Sequence, residues 1–151
     1  MLSDLDPAMA FSAKTEYGLV ALIDLAAAFS SGELVQVGEV SRRHGLPERY
    51  LEQMLTALRK GGYLNSIRGP RGGFQLSRPP EQITIAEVEE CLEGEARSER
   101  QGDRQDAGFR VLKGLAQRAE QARTAVLQST TLAHLLLERD SLQQPAPMFY
   151  I

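Results

Sequence analysis

The sequence predicts a mainly α fold with one small β-hairpin and a long C-terminal helix. Three observations carry that expectation. Helical apolar periodicity dominates the first sixty residues, glycines and a proline separate two short alternating runs near residue 70, and a heptad-spaced seam occupies the last third of the chain.

The first helix is expected from Ser12, a side-chain cap, through AKTEYGLVALIDLAAAF, whose few polar positions require burial on most sides. After a turn at Ser30-Ser31-Gly32 and a short extended Leu34-Val35, VGEVSRRH forms a second helix that Gly45 ends. Pro47 suits the first turn of a third helix, PERYLEQMLTALRK, which Gly61-Gly62 terminates. Leu51, Met54, Leu55 and Leu58 form its core stripe, while Arg49, Gln53, Thr56 and Lys60 fall on the opposite face. YLNSI and FQLS flank the turn RGPRGG and read as a hairpin. Helix, short helix, tight turn, helix, hairpin is the order of a winged helix-turn-helix domain.

Thr84-Ile-Ala-Glu87 is a capping box that opens IAEVEECLE, and Gly94 closes it. EARSERQGDRQDA has no apolar period and reads as a polar loop. From Asp106 to Asp140 no proline intervenes, and Leu112, Leu115, Ala119, Ala122, Val126, Ser129, Ala133 and Leu136 recur at alternating steps of three and four. One continuous helix of about 45 to 50 Å is expected, too long to bury its seam on so small a domain, so the seam is assigned to a homodimer interface. The resulting division is an N-terminal extension (1–10), a winged helix-turn-helix domain (11–82), a connecting helix (83–94), a polar loop (95–106), a dimerisation helix (107–140) and a tail (141–151).

The 151 residues carry a net charge of -3, yet charge is segregated along the chain. Between Ser41 and Arg78 eight basic residues face two acidic ones, whereas between Pro79 and Asp106 nine acidic residues face three basic ones. The glycine-rich turn does not fit phosphate-cofactor chemistry: it lacks GxxxxGK with Ser or Thr, misses GxGxxG spacing, and leads into a strand. A stiff basic projection beside a basic helix suits double-stranded DNA. Gln53 and Arg49 are placed to meet base edges or phosphates in the major groove, and of the two wing arginines Arg68 is assigned to a narrow minor groove while Arg71 adds charge. Lys14, Arg42 and Arg43 are assigned to phosphates.

Catalytic residues are sparse. His44 is expected at a helix end, His134 on the surface of the long helix, and Glu89, Glu90 and Glu93 on a wet helix face, so no enzyme is predicted. The single cysteine excludes a disulfide framework within one chain. MLSDLDPAMAF has no basic n-region and no apolar h-region, and no stretch approaches the length of a membrane span, so a cytoplasmic protein without membrane contact is expected.

FSAKTEYGLVALIDLA followed by YLEQMLTALRKGGYLNSIRGPRGGFQL resembles the Rrf-two (IscR-like) family of bacterial transcription regulators over roughly Phe11 to Gly94. The resemblance implies a homodimer on a palindromic operator, with Arg49, Tyr50, Glu52 and Gln53 at recognition-helix positions, Arg68 at the minor-groove wing position and Lys14 at a backbone contact. A repressor is expected, and family members without an iron-sulfur cluster respond to a partner protein or a small-molecule ligand or have no known effector. Many members of that family hold an iron-sulfur cluster through three cysteines placed after the position of Leu92; here EGEARSERQGDRQDAGF has none, and no cofactor is expected. Cys91 matches a non-ligand position and is read as a small buried hydrophobe. The alternatives are a winged-helix protein-interaction module, and a redox or iron sensor with an atypical site at Cys91 and carboxylates such as Glu16.

Overall fold

The computed structural model describes residues 10–94 and 105–144. The assignments made above to residues 1–9, to most of the polar loop and to residues 145–151 lie outside the described residues.

Helix α1 (Ala13–Phe29) begins at Ser12, whose hydroxyl accepts from Thr15 N, and buries Leu19, Leu22 and Leu25 at the centre of the molecule. Helix α2 (Val37–His44) closes on Gly45, which takes the left-handed conformation at φ 66° that a side chain would oppose. Helix α3 (Glu48–Lys60) follows, with Pro47 at its cap, one position before the first turn. Leu51, Met54, Leu55 and Leu58 are all buried, so the periodic stripe does face the core.

Strands β1 (Leu64–Ile67) and β2 (Gly73–Leu76) form an antiparallel hairpin in the register Leu64↔Leu76 to Ile67↔Gly73. A two-stranded ribbon this short is marginal alone. It gains a third edge from Val35, which exchanges both backbone hydrogen bonds with Phe74 (2.9 and 2.8 Å). Helix α4 (Ile85–Glu93) opens on the capping box of Thr84 and Glu87. Ile83, Ile85, Val88 and Leu92 extend the core laid down by α1 and α3.

The single C-terminal helix expected from Asp106 to Asp140 is two helices. Helix α5 (Ala107–Ser129), capped by Asp106, has 23 residues, about 35 Å at 1.5 Å rise. Thr130 and Thr131 are extended, and helix α6 (Leu132–Gln143) starts anew. The break is built locally: Thr131 Oγ1 accepts from His134 N (3.2 Å), and Thr131 N donates to His134 Nδ1 (3.0 Å). Ile85 N donates to Thr130 O and Leu132 N to Ile83 O, so the two threonines are stitched to the entry of α4. Leu132 then fills the core with no exposed surface, and α6 folds back onto α1. His134 is thus part of a cap rather than a plain surface group.

Candidate nucleic-acid interface

Helix α3 leaves Arg49, Glu52, Gln53, Arg59 and Lys60 exposed, with Thr56 half-buried. Tyr50 differs from its neighbours: its half-buried ring stands edge-on to Tyr17 of α1 (centroids 5.8 Å, planes at 86°). That aromatic contact holds the first turn of α3 against α1.

The hairpin turn is sterically set. A Cβ on Gly72 would lie 2.0 Å from Ile67 O, and Gly69 has φ 114°, so both positions require glycine. Gly72 N donates to Gly69 O (2.9 Å), closing the turn. The Gln36 side chain reaches across from the start of α2, its Nε2 donating to Pro70 O (3.3 Å) and Gly72 O (3.4 Å). Between α2, α3 and this wing runs an open groove of about 620 Å³, lined among others by Gln36, Arg42, Glu52, Thr56, Arg59 and Arg68.

Three residues singled out from the sequence, Arg42, Glu52 and Arg68, therefore meet in one groove. Arg49 and Gln53 are exposed on α3 outside it, Lys14 is exposed in the first turn of α1, and Arg71 lies with Arg42 in a smaller concavity beside Gln36. Arg59 and Gln36 were missed. Glu52, Thr56 and Arg59 stand at i, i+4 and i+7, a helical spacing that would have revealed Arg59; no local pattern marks Gln36.

Several charged groups are used inside the molecule rather than on its surface. Asp24 of α1 is buried; its Oδ2 meets His44 Nε2 (2.8 Å) and Arg43 Nη1 (3.2 Å), and its Oδ1 meets Arg139 of α6 (3.4 Å). His44 is thus a hydrogen-bond partner of Asp24 rather than a cap or free surface group, and Arg43, assigned to phosphate, is already engaged by Asp24 and by Glu39 (3.8 Å). The expected wet face of α4 also needs correction. Glu90 is exposed, but Glu89 is buried and bound by Nη1 and Nη2 of the Arg123 guanidinium, while Glu93 accepts from the hydroxyls of Ser12 and Thr15. The Glu89 hydrogen bonds raise the pKa of Arg123.

Cys91 is half-buried, with Sγ 3.6 Å from Ala57 O; burial raises its pKa, against a smaller opposing effect of the Lys14 charge. It borders a cavity of about 750 Å³ between α4 and α5 that Tyr63, Glu87, Glu90, Thr124 and Gln128 also line. Burial, followed by the Glu87 carboxylate, raises the Tyr63 pKa.

On α5 the seam is open to solvent: Leu112 is 59% exposed, Leu115 54% and Val126 61%, and Ala119 and Ala122 are exposed between them. Beyond the break the pattern fails. Leu136 packs against the chain's own core and Ala133 is half-buried on α6, so neither continues the α5 seam.

Comparison with known proteins agrees with this architecture. Residues 11–138 match the family model Rrf2, described as an iron-dependent transcriptional regulator. The chain is 46% identical over 86 residues to the HTH-type transcriptional regulator IscR of Cereibacter sphaeroides, a match that covers 56% of each protein. It is 35% identical over 148 residues to the HTH-type transcriptional regulator CymR of Bacillus subtilis, covering 95% of this chain and all of that one. Among solved structures, T. potens IscR superimposes with a TM-score of 0.76 at 32% identity over 93% of this chain and 95% of that one. CymR (YrzC), the global cysteine regulator of B. subtilis, gives 0.74 at 32% identity, covering 86% and 98%. These relatives are named as regulators, in keeping with a chain that is not an enzyme.

The iron named for the family can be tested against the donors present. The chain has one cysteine, residues 95–104 contain none, and burial raises the pKa of the Cys91 thiol. Among the described residues no three His, Cys, Asp or Glu side chains converge. This set does not fit a cluster held by three thiolates. With the winged domain, the groove and a match spanning most of its length, the chain belongs to the Rrf2 family of winged-helix transcription regulators.

Proposed function

We propose that this regulator acts as a homodimer on a palindromic operator, and as a repressor where that operator overlaps a promoter, without a three-cysteine cluster. The groove in which α2, α3 and the wing bring Arg42, Glu52, Arg59 and Arg68 together carries the reading. Helix α3 enters the major groove with Arg49, Glu52 and Gln53 toward base edges, and Arg68 enters the adjoining minor groove, where narrow A·T tracts concentrate negative potential. Lys14, Arg42 and Arg71 neutralise phosphates. The exposed apolar stripe of α5 supports pairing with a second copy, setting two reading heads about 34 Å apart on one side of the duplex.

The test is selection of genomic fragments by the purified protein, followed by titration of the selected duplex. Affinity falls with log salt at about 0.9 per neutralised phosphate. Arg68→Ala weakens binding while leaving the oligomeric state intact. A protein that retains no genomic fragment at low salt would refute the DNA reading, and an Arg68→Ala variant of unchanged affinity would refute the wing assignment.

A further inference from the structure

We propose that Gln36 is a positioning residue for DNA recognition, holding the wing at a fixed span from α3 so that Arg68 is presented already placed. The inference rests on the reading that Arg68 meets DNA. Gln36 is fixed on both sides: Val35 before it is paired in both directions to Phe74, and its own carbonyl accepts from Glu39 N (3.1 Å) and Val40 N (3.3 Å) at the start of α2. From that anchored backbone its amide reaches the turn more than thirty residues later, donating to Pro70 O and Gly72 O. The tip therefore has two attachments, the Val35–Phe74 pairing at its base and Gln36 near its apex.

The second attachment matters because of what lies between the two. Arg68 to Gly72 lie beyond the last ladder pair, Ile67↔Gly73, and the hydrogen bond from Gly72 N to Gly69 O closes their turn on itself without tying the tip to α2 or α3. Untied, the tip must be ordered when DNA binds, at a cost in conformational entropy that weakens association. Gln36 orders it beforehand and needs no contact with a base. The side chain also lines the groove, so direct contact with DNA is the competing role that a test has to separate.

A double-mutant cycle of Gln36→Met and Arg68→Ala does so, read as binding of the full-length protein to a duplex selected from genomic fragments. Methionine keeps the length and removes the donor. Gln36→Met is expected to weaken binding about threefold to tenfold in the native background, the worth of one modest hydrogen-bonded restraint. In the Arg68→Ala background its effect falls below about twofold, because the residue it positions is gone. Equal losses in both backgrounds would assign Gln36 to direct contact or to α2, and no loss in the native background would leave the restraint without consequence; either overturns the inference. If Arg68→Ala alone changes nothing, the wing reading itself fails and the inference falls with it, an outcome distinct from the other two.

Discussion

Replacing Asp24 by Asn removes the charge around which α1, α2 and α6 are assembled. Its side chain is 2% exposed, whereas its partners Arg43, His44 and Arg139 are 50%, 28% and 27% exposed. A carboxylate this dry is tolerable only because cations face it, and asparagine turns an amide N–H toward groups that are themselves donors. Breaking a buried pair from one side costs about 3–5 kcal/mol, and the partly wet partners, which can recover water, place Asp24→Asn near 3 kcal/mol. Arg43→Met leaves Asp24 the Arg139 guanidinium and the His44 hydrogen bond and removes a half-exposed group, so it costs about 1 kcal/mol or less. Arg139→Met lies between them, since it strips the only contact from α6 to that carboxylate among the described residues. Against a total stability of about 5–15 kcal/mol, the first change is large. Urea unfolding at one fixed protein concentration, with the slope held common, measures all three. An Asp24→Asn variant within 1 kcal/mol of the parent, or an Arg43→Met variant as damaging as Asp24→Asn, would refute the argument that burial of the carboxylate sets the ranking.

Three further outcomes follow from the geometry. Thr131→Val keeps the branched shape but removes the hydroxyl that caps α6, and should lower stability by about 1 kcal/mol in the same urea assay. Gly72→Ala would set a methyl 2.0 Å from Ile67 O; the turn must rebuild, at about 1–3 kcal/mol, and operator affinity should fall in titration while the helical circular dichroism is kept. Because burial raises the Cys91 pKa and half-covers the thiol, iodoacetamide should label Cys91 more slowly than an exposed cysteine at neutral pH, and equal rates would refute this. The Cys91 rate should still be climbing above about pH 8.5, where an ordinary thiol has half ionised.

The reading head was legible because its signals are local. The i, i+3, i+4, i+7 stripe of α3, the positive-φ glycine after α2 and the glycines of the wing each constrain a few consecutive residues, and the backbone follows them. The break at Thr130–Thr131 was not legible, since the steps of three and four run through it from Val126 to Ser129 to Ala133. The interruption is written instead in a capping box with histidine in place of the usual Glu or Gln, and in backbone hydrogen bonds to Ile83 and Ile85 some 45 residues earlier. Asp24 carried half a signal: one carboxylate amid Leu22, Ile23, Leu25 and Ala26 has to be paired if the helix is buried. Its partner Arg139 is 115 residues away and has no local mark. Glu89 follows the same logic, next to core-facing Val88, with its cation on a different helix.

These internal pairs also explain how a chain of net charge -3 presents a face suited to DNA. Acidic residues are consumed by pairing within the chain: Asp24 by Arg43 and Arg139 and Glu89 by Arg123 where the carboxylates are buried, and Glu87 by Arg78 (3.7 Å) at the surface. Among the described residues Arg42, Arg49, Arg59, Lys60, Arg68 and Arg71 take part in no ion pair, and all six are exposed on α2, α3 and the wing. Only Glu48 and Glu52 accompany them on α3. Attraction to a phosphate is governed by the cations within about a Debye length, roughly 8 Å at physiological salt, and not by a sum over the whole chain. Neutralising a buried carboxylate such as Glu89 therefore alters the field at the interface less than neutralising Arg42 or Arg68, even though each change moves the net charge by one unit. Net charge is a poor guide here because the fold decides which charges remain unpaired.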